Sequence, residues 1–448
     1  MCLVIKMLED LKDKKILILG FGKEGRDSYL ALRKLFPGKV LGVADRDRFK
    51  IQDSRDKNLK LYLGENYLDK IGEYDLVIKT PGISLEKRPN FTSQTEIFFD
   101  NFPGIIVGVT GTKGKGTTAS LIYEILKKAG LKVYLGGNIG KPVFQKLVTL
   151  RQAQGGPEDI FVYELSSHQL QGLKKSPQIA VFLNLFSDHL DYYKNFAEYQ
   201  KAKANIAKYQ TKDDYLIFNA KDKQVKEISK KVKSHKIDFN QDKKYYETRL
   251  PGEFNQLNIK AAVAVARLFM VKPEIIKTAM KDFKGLPHRL EFVGKFKGIE
   301  FYNNSMATVP QTTILDLQTF NHKPISLIAG GSDKGSDYRD LVKEIKQTSV
   351  KNLIVLGQGT GQRIEKALKL SEPRAPKNLS KEPGSPGLRQ LFHASSMKEA
   401  VRICYENTPK NGVCLLSPAS ASFNLFKDYQ DRGKQFVKYA KLYGAKKT

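Results

Sequence analysis

The chain of 448 residues has only three cysteines and no long apolar stretch. Cys2, Cys404 and Cys414 form no CxxC pair, which argues against a disulfide framework and favours a reducing compartment. No stretch approaches the roughly 18 apolar residues that a membrane span needs. Charges interrupt the first segment, MCLVIKMLEDL, too early for a signal peptide. We therefore expect a cytoplasmic protein without a membrane span, and the length predicts two or three domains.

Acidic residues are scarce relative to basic ones, with 47 Asp and Glu against 76 Lys and Arg and a formal net charge of +29. A charge that large raises the hypothesis of nucleic-acid binding. However, the lysines are spread along the chain, and even in the dense stretch 221–244 they mix with acids and with apolar positions at helical spacing. A basic groove interleaved with aromatic residues is missing. We expect no nucleic-acid partner, and anionic small-molecule substrates explain part of the charge.

Short apolar runs alternate with helical patterns from end to end, as in KKILILG, KVLGVAD, GIIVGVT, DIFVYEL, IAVFLNL and GVCLLSPA. This alternation predicts an α/β protein with parallel sheets, whose functional groups gather where strands end. Proline and glycine near residues 103 and 287 predict three domains: 1–103, 104–290 and 291–448. The stretches 151–159 and 371–390, rich in Pro, Gly and charge, are predicted to be mobile surface insertions.

Residues 108–118 read GVTGTKGKGTT and follow the apolar run IIV directly. A strand that ends in glycines and reopens as a helix leaves unpaired N–H groups, which form an anion cradle with the helix dipole. Lys115 would contact the β- and γ-phosphates of a nucleotide triphosphate, and Thr117 or Thr118 would offer a hydroxyl to Mg²⁺. The match is a variant, because Val109 and Gly116 replace the usual glycine and hydroxyl residue. The predicted ATP-binding residues of this turn are Gly111, Thr112, Lys113, Gly114, Lys115, Gly116, Thr117 and Thr118.

A second glycine-rich turn, GFGKEG at residues 20–25, also follows a strand, and Asp45 ends the next strand. This pattern is typical of dinucleotide binding, so a redox cofactor is one interpretation. Because a nucleotide site already stands at Lys115, we favour a uridine diphosphate group held by the same glycines. The predicted residues for it are Gly22, Lys23, Glu24, Gly25, Asp45, Thr80, Pro81 and Gly82.

Two further strands end in polar residues. DIFVYEL delivers Glu164, which is placed to hold a Mg²⁺ between β- and γ-phosphates, although a strand-end acid could instead pair with a lysine. IAVFLNL leads to Asn184 and then to His189 between Asp188 and Asp191. A lone histidine is more often structural than a metal ligand. The flanking carboxylates favour a functional site here.

The order of the P-loop, ELSSHQL, NLFSDHLDYY and YQKAKANI resembles the Mur ligase family, ATP-dependent amide-forming enzymes of peptidoglycan synthesis. The resemblance implies a Rossmann-like N-terminal domain, a central P-loop ATPase-like domain and a Rossmann-like C-terminal domain. It implies two Mg²⁺ ions, and a carbamylated Lys203 that turns a cationic amine into an anionic oxygen ligand. The implied catalytic residues are Lys115, Glu164, His189 and Lys203, and the implied metal ligands are Thr117, Glu164, His189 and Lys203.

The segments GGNIG, LSPASASFNLFKDY and DRGKQF narrow the resemblance to the D-glutamate-adding branch of the family. The implied substrates are UDP-N-acetylmuramoyl-L-alanine and D-glutamate, and we expect a monomer. By matching positions, Asn258 and Arg289 would contact ATP. The residues implied for D-glutamate are Lys334, Ser422 and Tyr429, and those added for the UDP substrate are Asn138, Ser166 and Gln169.

The chain departs from the family pattern near the nucleotide. Asn304 and Met306 replace an aspartate and a lysine, and Phe254 replaces a histidine, which keeps a ring for stacking but loses a donor. Asp45 and Arg46 open a turn that matches the family's uridine-binding turn only loosely. Three alternatives stay open: another amino-acid-adding Mur ligase, a ligase like folylpolyglutamate synthase (suggested by GTKGKGTT), and a non-catalytic nucleotide-binding homologue.

Overall fold

The structure is a computed structural model that describes residues 8–47, 56–85, 88–152, 155–189, 192–332, 335–370, 387–423 and 425–445, without the side chains of 151–152. Within these residues the chain is an α/β protein with three mainly parallel sheets, which confirms the predicted class. Among the predicted features, Asp191, Lys334 and most of the insertion 371–390 lie outside the described residues.

The first sheet has five parallel strands in the order β3-β2-β1-β4-β5. Its apolar central strand, ILIL, is fully buried, as the run KKILILG predicts. The strands are β1 (Ile16–Leu19), β2 (Leu41–Asp45), β3 (Leu59–Leu63), β4 (Leu76–Lys79) and β5 (Phe91–Thr92), with helices α1 (Lys23–Leu35) and α2 (Gln94–Asn101).

The second sheet has six parallel strands in the order β11-β10-β9-β6-β8-β7. Its strands are β6 (Ile105–Thr110), β7 (Val133–Gly137), β8 (Ile160–Glu164), β9 (Ile179–Phe182), β10 (Tyr215–Phe218) and β11 (His235–Asp238). The helices that follow them are α3 (Lys115–Lys128), α4 (Phe144–Gln152), α5 (Ser167–Leu170), α6 (Phe196–Lys208), α7 (Lys223–Lys230), α8 (Glu253–Leu268) and α9 (Pro273–Asp282). A single apolar core cluster includes Ile18 of the first sheet, Phe161 of the second sheet and Phe98 of α2.

The third sheet has six strands in the order β12-β13-β17-β14-β15-β16. Its strands are β12 (Glu291–Phe296), β13 (Ile299–Asn303), β14 (Ile325–Ala329), β15 (Val350–Leu356), β16 (Gln390–Ala394) and β17 (Val413–Leu416). Its helices are α10 (Pro310–Thr319), α11 (Arg339–Gln347), α12 (Thr360–Leu370), α13 (Met397–Asn407) and α14 (Tyr429–Ala445). The edge pair β12 and β13 is antiparallel, because a tight turn at Lys297 and Gly298 joins the two strands.

The chain divides into two compact units. The first unit comprises Met1–Glu247 with Gln256–Lys281 and holds the first two sheets, and the second comprises Thr248–Asn255 with Asp282–Thr448 and holds the third. The division into three domains with boundaries near 103 and 290 stays a prediction. None of the helices in the described residues is long and apolar enough to span a bilayer.

Candidate active site

The glycine-rich turn after β6 has the predicted strand, turn and helix. Gly114 precedes α3 with φ of 87°, and a Cβ there would lie 2.3 Å from Asn258 Oδ1, so a side chain is excluded on both grounds. Lys115 Nζ donates to the carbonyl oxygens of Gly111 and Thr112, each at 3.0 Å. The ammonium is therefore folded over the turn that would receive the phosphates.

The two threonines after Gly116 have different surroundings. Thr118 is buried, and its hydroxyl lies 3.3 Å from Asn258 Oδ1 in α8. Thr117 is partly exposed in the first turn of α3. Asn258 thus supports the turn through Gly114 and Thr118, and Thr117 keeps the more accessible hydroxyl.

The segment after β9 closes against the same turn. Asn184 accepts a hydrogen bond from Lys113 N at 2.9 Å and donates to Lys113 O at 3.0 Å. Thr112 Oγ1 lies 3.1 Å from both Phe186 O and the Tyr199 hydroxyl. These contacts give Asn184 a structural role in shaping the turn, which the sequence pattern did not distinguish from a ligand role.

Glu164, the last residue of β8, is fully buried. Its Oε1 accepts from Asn138 Nδ2 at 3.1 Å, while its Oε2 is buried with no hydrogen-bond partner among the described residues. A buried carboxylate oxygen without a donor is costly, and a bound cation removes that penalty. The lysine pairing weighed above does not occur in the described residues, so the residues at this strand end fit a hard metal ion.

Lys203 in α6 is 1% exposed, and its Nζ donates to Gly111 O at 2.8 Å. Burial, followed by the positive charge of Lys115, lowers the pKa of Lys203 well below its usual 10.5, while the charges of Asp188 and Glu164 oppose this shift. A lysine whose pKa is lowered presents more of the neutral amine at a given pH. This is the form that reacts with CO₂, so the environment fits the implied carbamate.

His189 has a left-handed backbone with φ of 55°, and its side chain is 48% exposed. Its ring lies 5.0 Å from that of His168 and 6.2 Å from that of Tyr199, between centroids. Its Nε2 lies 3.9 Å from Asp188 Oδ2. Across the described part of the chain, no three His, Cys, Asp or Glu side chains gather as a metal site. A cation near His189 would therefore need oxygen ligands from a carbamate or a substrate.

A cavity of about 930 Å³ lies in the first unit beside the GFGKEG turn. Nine of the eleven residues predicted for the UDP substrate line it: Gly22, Lys23, Glu24, Asp45, Thr80, Pro81, Gly82, Asn138 and Ser166. Tyr67, Ile83, Leu85 and His168 also line it and were not singled out from the sequence. The sequence around Tyr67 carries no motif that could have indicated its place in the cavity.

The two remaining predicted residues, Gly25 and Gln169, do not line the cavity but support residues that do. A Cβ on Gly25 would lie 1.9 Å from Gly20 O, so Gly25 allows α1 to pack closely on the turn. Gln169 Nε2 donates to Glu24 Oε1 at 2.6 Å, and Gln169 forms a capping box with Ser166 at the start of α5.

In the second unit, the segment predicted to hold D-glutamate is fixed by a buried arginine. Ser422 is buried, and Tyr429 begins α14 with its ring 6.1 Å from that of His288. Arg432 is fully buried and donates to Ser305 Oγ and O and to the carbonyl oxygens of Ser420 and Ala421. Burial lowers the pKa of Arg432 to about 10. The segment DRGKQF is identified by its resemblance to the family, but the sequence does not predict that Arg432 is buried.

Asn304 and Phe254, two of the residues that depart from the family pattern, contact other residues of this unit. Asn304 Nδ2 donates to Asp316 Oδ2 at 2.6 Å, and Ser417 Oγ donates to the same oxygen at 2.7 Å. Burial raises the pKa of Asp316 to about 7. Phe254 packs against the apolar core of the unit. Arg289 also belongs to this unit, and its contact with ATP stays a prediction.

The turn at Lys115, the buried acid Glu164 and the cavity beside Glu24 are features of a nucleotide-binding α/β protein, with two glycine-rich turns that each lead from a strand into a helix. Residues 109–249 match the family described as the Mur ligase middle domain. The UDP-N-acetylmuramoylalanine--D-glutamate ligase of Acetivibrio thermocellus is 34% identical over 95% of this chain and 96% of its own length.

Solved structures agree on the fold. The UDP-N-acetylmuramate-alanine ligase of Thermotoga maritima superposes with a TM-score of 0.58 at 18% identity, covering 96% of this chain and all of that one. The MurF ligase of the same organism, in complex with ADP, has a TM-score of 0.58 at 15% identity over 90% of this chain and 94% of its own. The chain belongs to the Mur ligase family, with close relatives among the D-glutamate-adding ligases.

Proposed function

We propose that this protein is an ATP-dependent ligase that adds D-glutamate to UDP-N-acetylmuramoyl-L-alanine in peptidoglycan precursor synthesis. The similarity to ligases of that name over nearly the whole chain carries the proposal. Two further observations support it: the Lys115 turn with its nearby buried acid, and the cavity beside the GFGKEG turn, which is large enough for a nucleotide-linked substrate. A redox cofactor would leave the Lys115 turn without a role.

The reaction proceeds in two steps. The L-alanine carboxylate oxygen attacks the γ-phosphorus of ATP, and ADP leaves, which converts a poor leaving group into an acyl phosphate. The D-glutamate amine then attacks the carbonyl carbon, phosphate leaves, and the nitrogen loses a proton. Lys115 and the N–H groups of the turn orient the triphosphate and stabilise the charge that develops on its oxygens.

Mg²⁺ supplies charge neutralisation for the crowded phosphate oxygens when bound. Glu164, with its unpaired Oε2, and Thr117, with its accessible hydroxyl, are the residues that would hold one ion. His189 and Lys203, the latter as a carbamate, would hold a second. Lys203 is suited to this because burial lowers the pKa of its amine, which lies beside Gly111.

The three predicted domains receive one substrate each in this proposal. Residues 1–103 bind the UDP substrate with help from Asn138, Ser166 and Gln169. Residues 104–290 bind ATP with Asn258 and Arg289, and residues 291–448 bind D-glutamate through Lys334, Ser422 and Tyr429. We infer that the protein acts as a monomer in the cytoplasm, where ATP is available. A Rossmann-like topology of the outer domains and a P-loop topology of the central one are part of the same proposal.

Amino-acid-dependent phosphate release tests the function directly. The protein is incubated with ATP, Mg²⁺ and UDP-N-acetylmuramoyl-L-alanine, a panel of amino acids is offered, and the product is weighed. Phosphate release with D-glutamate, and a product heavier by one glutamate residue, support the proposal. A parallel reaction contains a folate in place of the UDP substrate. Turnover with a different amino acid would assign a sister ligase, and turnover only with the folate would assign a ligase like folylpolyglutamate synthase. No turnover in either reaction would indicate a non-catalytic homologue.

A further inference from the structure

Glu24 lies in the first turn of α1, where the diphosphate of the UDP substrate is proposed to bind. It lines the cavity, and its Oε1 accepts from Gln169 Nε2 at 2.6 Å. No described side chain donates to its Oε2. A helix N-terminus behind a glycine turn attracts a phosphate, whereas a carboxylate in the same turn repels it. The protonation of Glu24 therefore matters for binding.

The surroundings of Glu24 favour its neutral form. Burial raises the pKa of Glu24 to about 7; the hydrogen bond from Gln169 lowers it, and the negative charge of Asp27 raises it. Gln169 is held by the capping box with Ser166, and Asp27 accepts a hydrogen bond of 2.8 Å from Gln94. Both neighbours are thus fixed in place.

Other ionisable groups face this region from several elements. Those that line the cavity are Lys23, Asp45, Arg46, Asp47 and His168. On elements packed against α1 or near its N-terminus stand Lys79 at the end of β4, Lys146 on α4 and Tyr163 on β8. Burial, and to a smaller extent the charge of Glu24 when it is ionised, raises the pKa of the Tyr163 hydroxyl well above 10, so that hydroxyl stays neutral near pH 7.

We propose that Glu24 is a substrate-binding residue that engages the diphosphate as a neutral carboxylic acid, with Oε2–H donating to a phosphate oxygen while Oε1 accepts from Gln169. The inference rests on the proposed function, and it adds that Glu24 is protonated when the UDP substrate binds. The negative charge of the diphosphate favours the protonated acid further. Substrate binding near and above neutral pH therefore takes up a proton, and affinity falls as the pH rises.

Calorimetric titration with UDP-N-acetylmuramoyl-L-alanine, without ATP, tests this at pH 6, 7 and 8. The ligand has no group that titrates in this range, and buffers of different ionisation enthalpy report the protons taken up. For the wild type we expect the Kd to rise by up to about tenfold from pH 6 to 8, with uptake of up to about 0.9 proton at pH 8.

Glu24→Gln keeps the shape, an acceptor for Gln169 and a donor for the phosphate. We expect its Kd to be independent of pH and its proton uptake to vanish, with binding at pH 8 at least as tight as in the wild type. Glu65→Gln removes an exposed carboxylate of the same sheet region that does not line the cavity, and it should behave as the wild type. Thermal midpoints confirm that each variant is folded.

Two results would overturn the inference: an unchanged pH dependence in Glu24→Gln, or binding by the wild type without proton uptake. Weaker binding of Glu24→Gln at every pH would also overturn it, because the carboxylate itself would then be required. These outcomes leave the proposed function intact. Failure of the wild type to bind the UDP substrate at any pH would sink both.

Discussion

Lys203 Nζ lies 2.8 Å from the carbonyl oxygen of Gly111, inside the turn that is proposed to hold the triphosphate. The amine is almost fully buried and lies over the ring of Tyr199, at 5.1 Å from its centroid. A lysine kept only for surface charge would not occupy such a place, since burying an ammonium without a carboxylate partner is unfavourable. The relationship indicates that Lys203 has a role at the nucleotide.

Replacing Lys203 with alanine should lower ligation by at least about 100-fold, because the anionic ligand that it would provide as a carbamate is lost. Added bicarbonate should not rescue the variant, whereas CO₂-depleted wild type should regain activity with bicarbonate. Lys201→Ala, an exposed lysine on the same helix, is the matched control and should keep full activity. An active Lys203→Ala enzyme would remove Lys203 from the mechanism.

Replacing Glu164 with glutamine should separate stability from activity. The change removes a buried charge whose Oε2 has no hydrogen-bond partner in the described structure, so the thermal midpoint without nucleotide should stay equal or rise. Ligation should fall by about 100-fold or more, and Mg²⁺ with ATP should no longer raise the midpoint. Glu158→Gln, at an exposed position before β8, should change neither property. A less stable but active Glu164→Gln would contradict this account.

Asp316 should make the second unit less stable as the pH rises. Its pKa is about 7 in the folded protein and 3.8 as the ordinary value, so the folded form holds a proton that the unfolded form releases between about pH 4 and 7. Its contribution to the free energy of unfolding is therefore full at low pH and falls by about 2 kcal/mol between pH 5 and 7.

The variant Asp316→Asn cannot titrate, so urea unfolding at pH 5, 6 and 7 should show its stability rising relative to the wild type as the pH increases. Asp340→Asn, at an exposed position in the same unit, is the control for general charge effects. A constant difference between Asp316→Asn and the wild type across this range would show that Asp316 is not protonated in the folded protein.

We expect Arg432 to stabilise the segment that is predicted to hold D-glutamate. Among the described residues, its guanidinium bonds only to neutral oxygens, those of Ser305, Ser420 and Ala421. Arg432→Met leaves buried carbonyl groups without donors and should lower the free energy of unfolding by about 3 kcal/mol or more. Because the segment also carries Ser422, the KM for D-glutamate should rise in the more conservative Arg432→Lys.

The control for Arg432 is Lys434→Met, which removes an exposed cation two residues later on the same helix and should be nearly neutral. Thermal and urea unfolding measure the difference. Equal stabilities of the two variants would mean that the hydrogen bonds of Arg432 contribute nothing net.

Much of the nucleotide region was predictable because its chemistry is local in sequence. Gly111–Gly114 lie between an apolar strand and a helix whose first residues are Lys115–Thr118, and those two elements alone decide where the N–H groups of the turn point. The class of fold followed from alternating apolar runs. The antiparallel pair of β12 and β13 did not, since periodicity does not report the direction of pairing.

The sequence by itself determined the α/β class, the two glycine-rich turns and the position of Glu164 at the end of a strand. Each of these features depends on residues that are close together in the chain. Tertiary structure alone decided that Gln169 meets Glu24, that Asn304 meets Asp316, and that Arg432 is buried among carbonyl oxygens. These contacts join residues 11 to 145 positions apart. Their burial sets the protonation of the acids, and burial is a property of the packed chain and not of any segment in it.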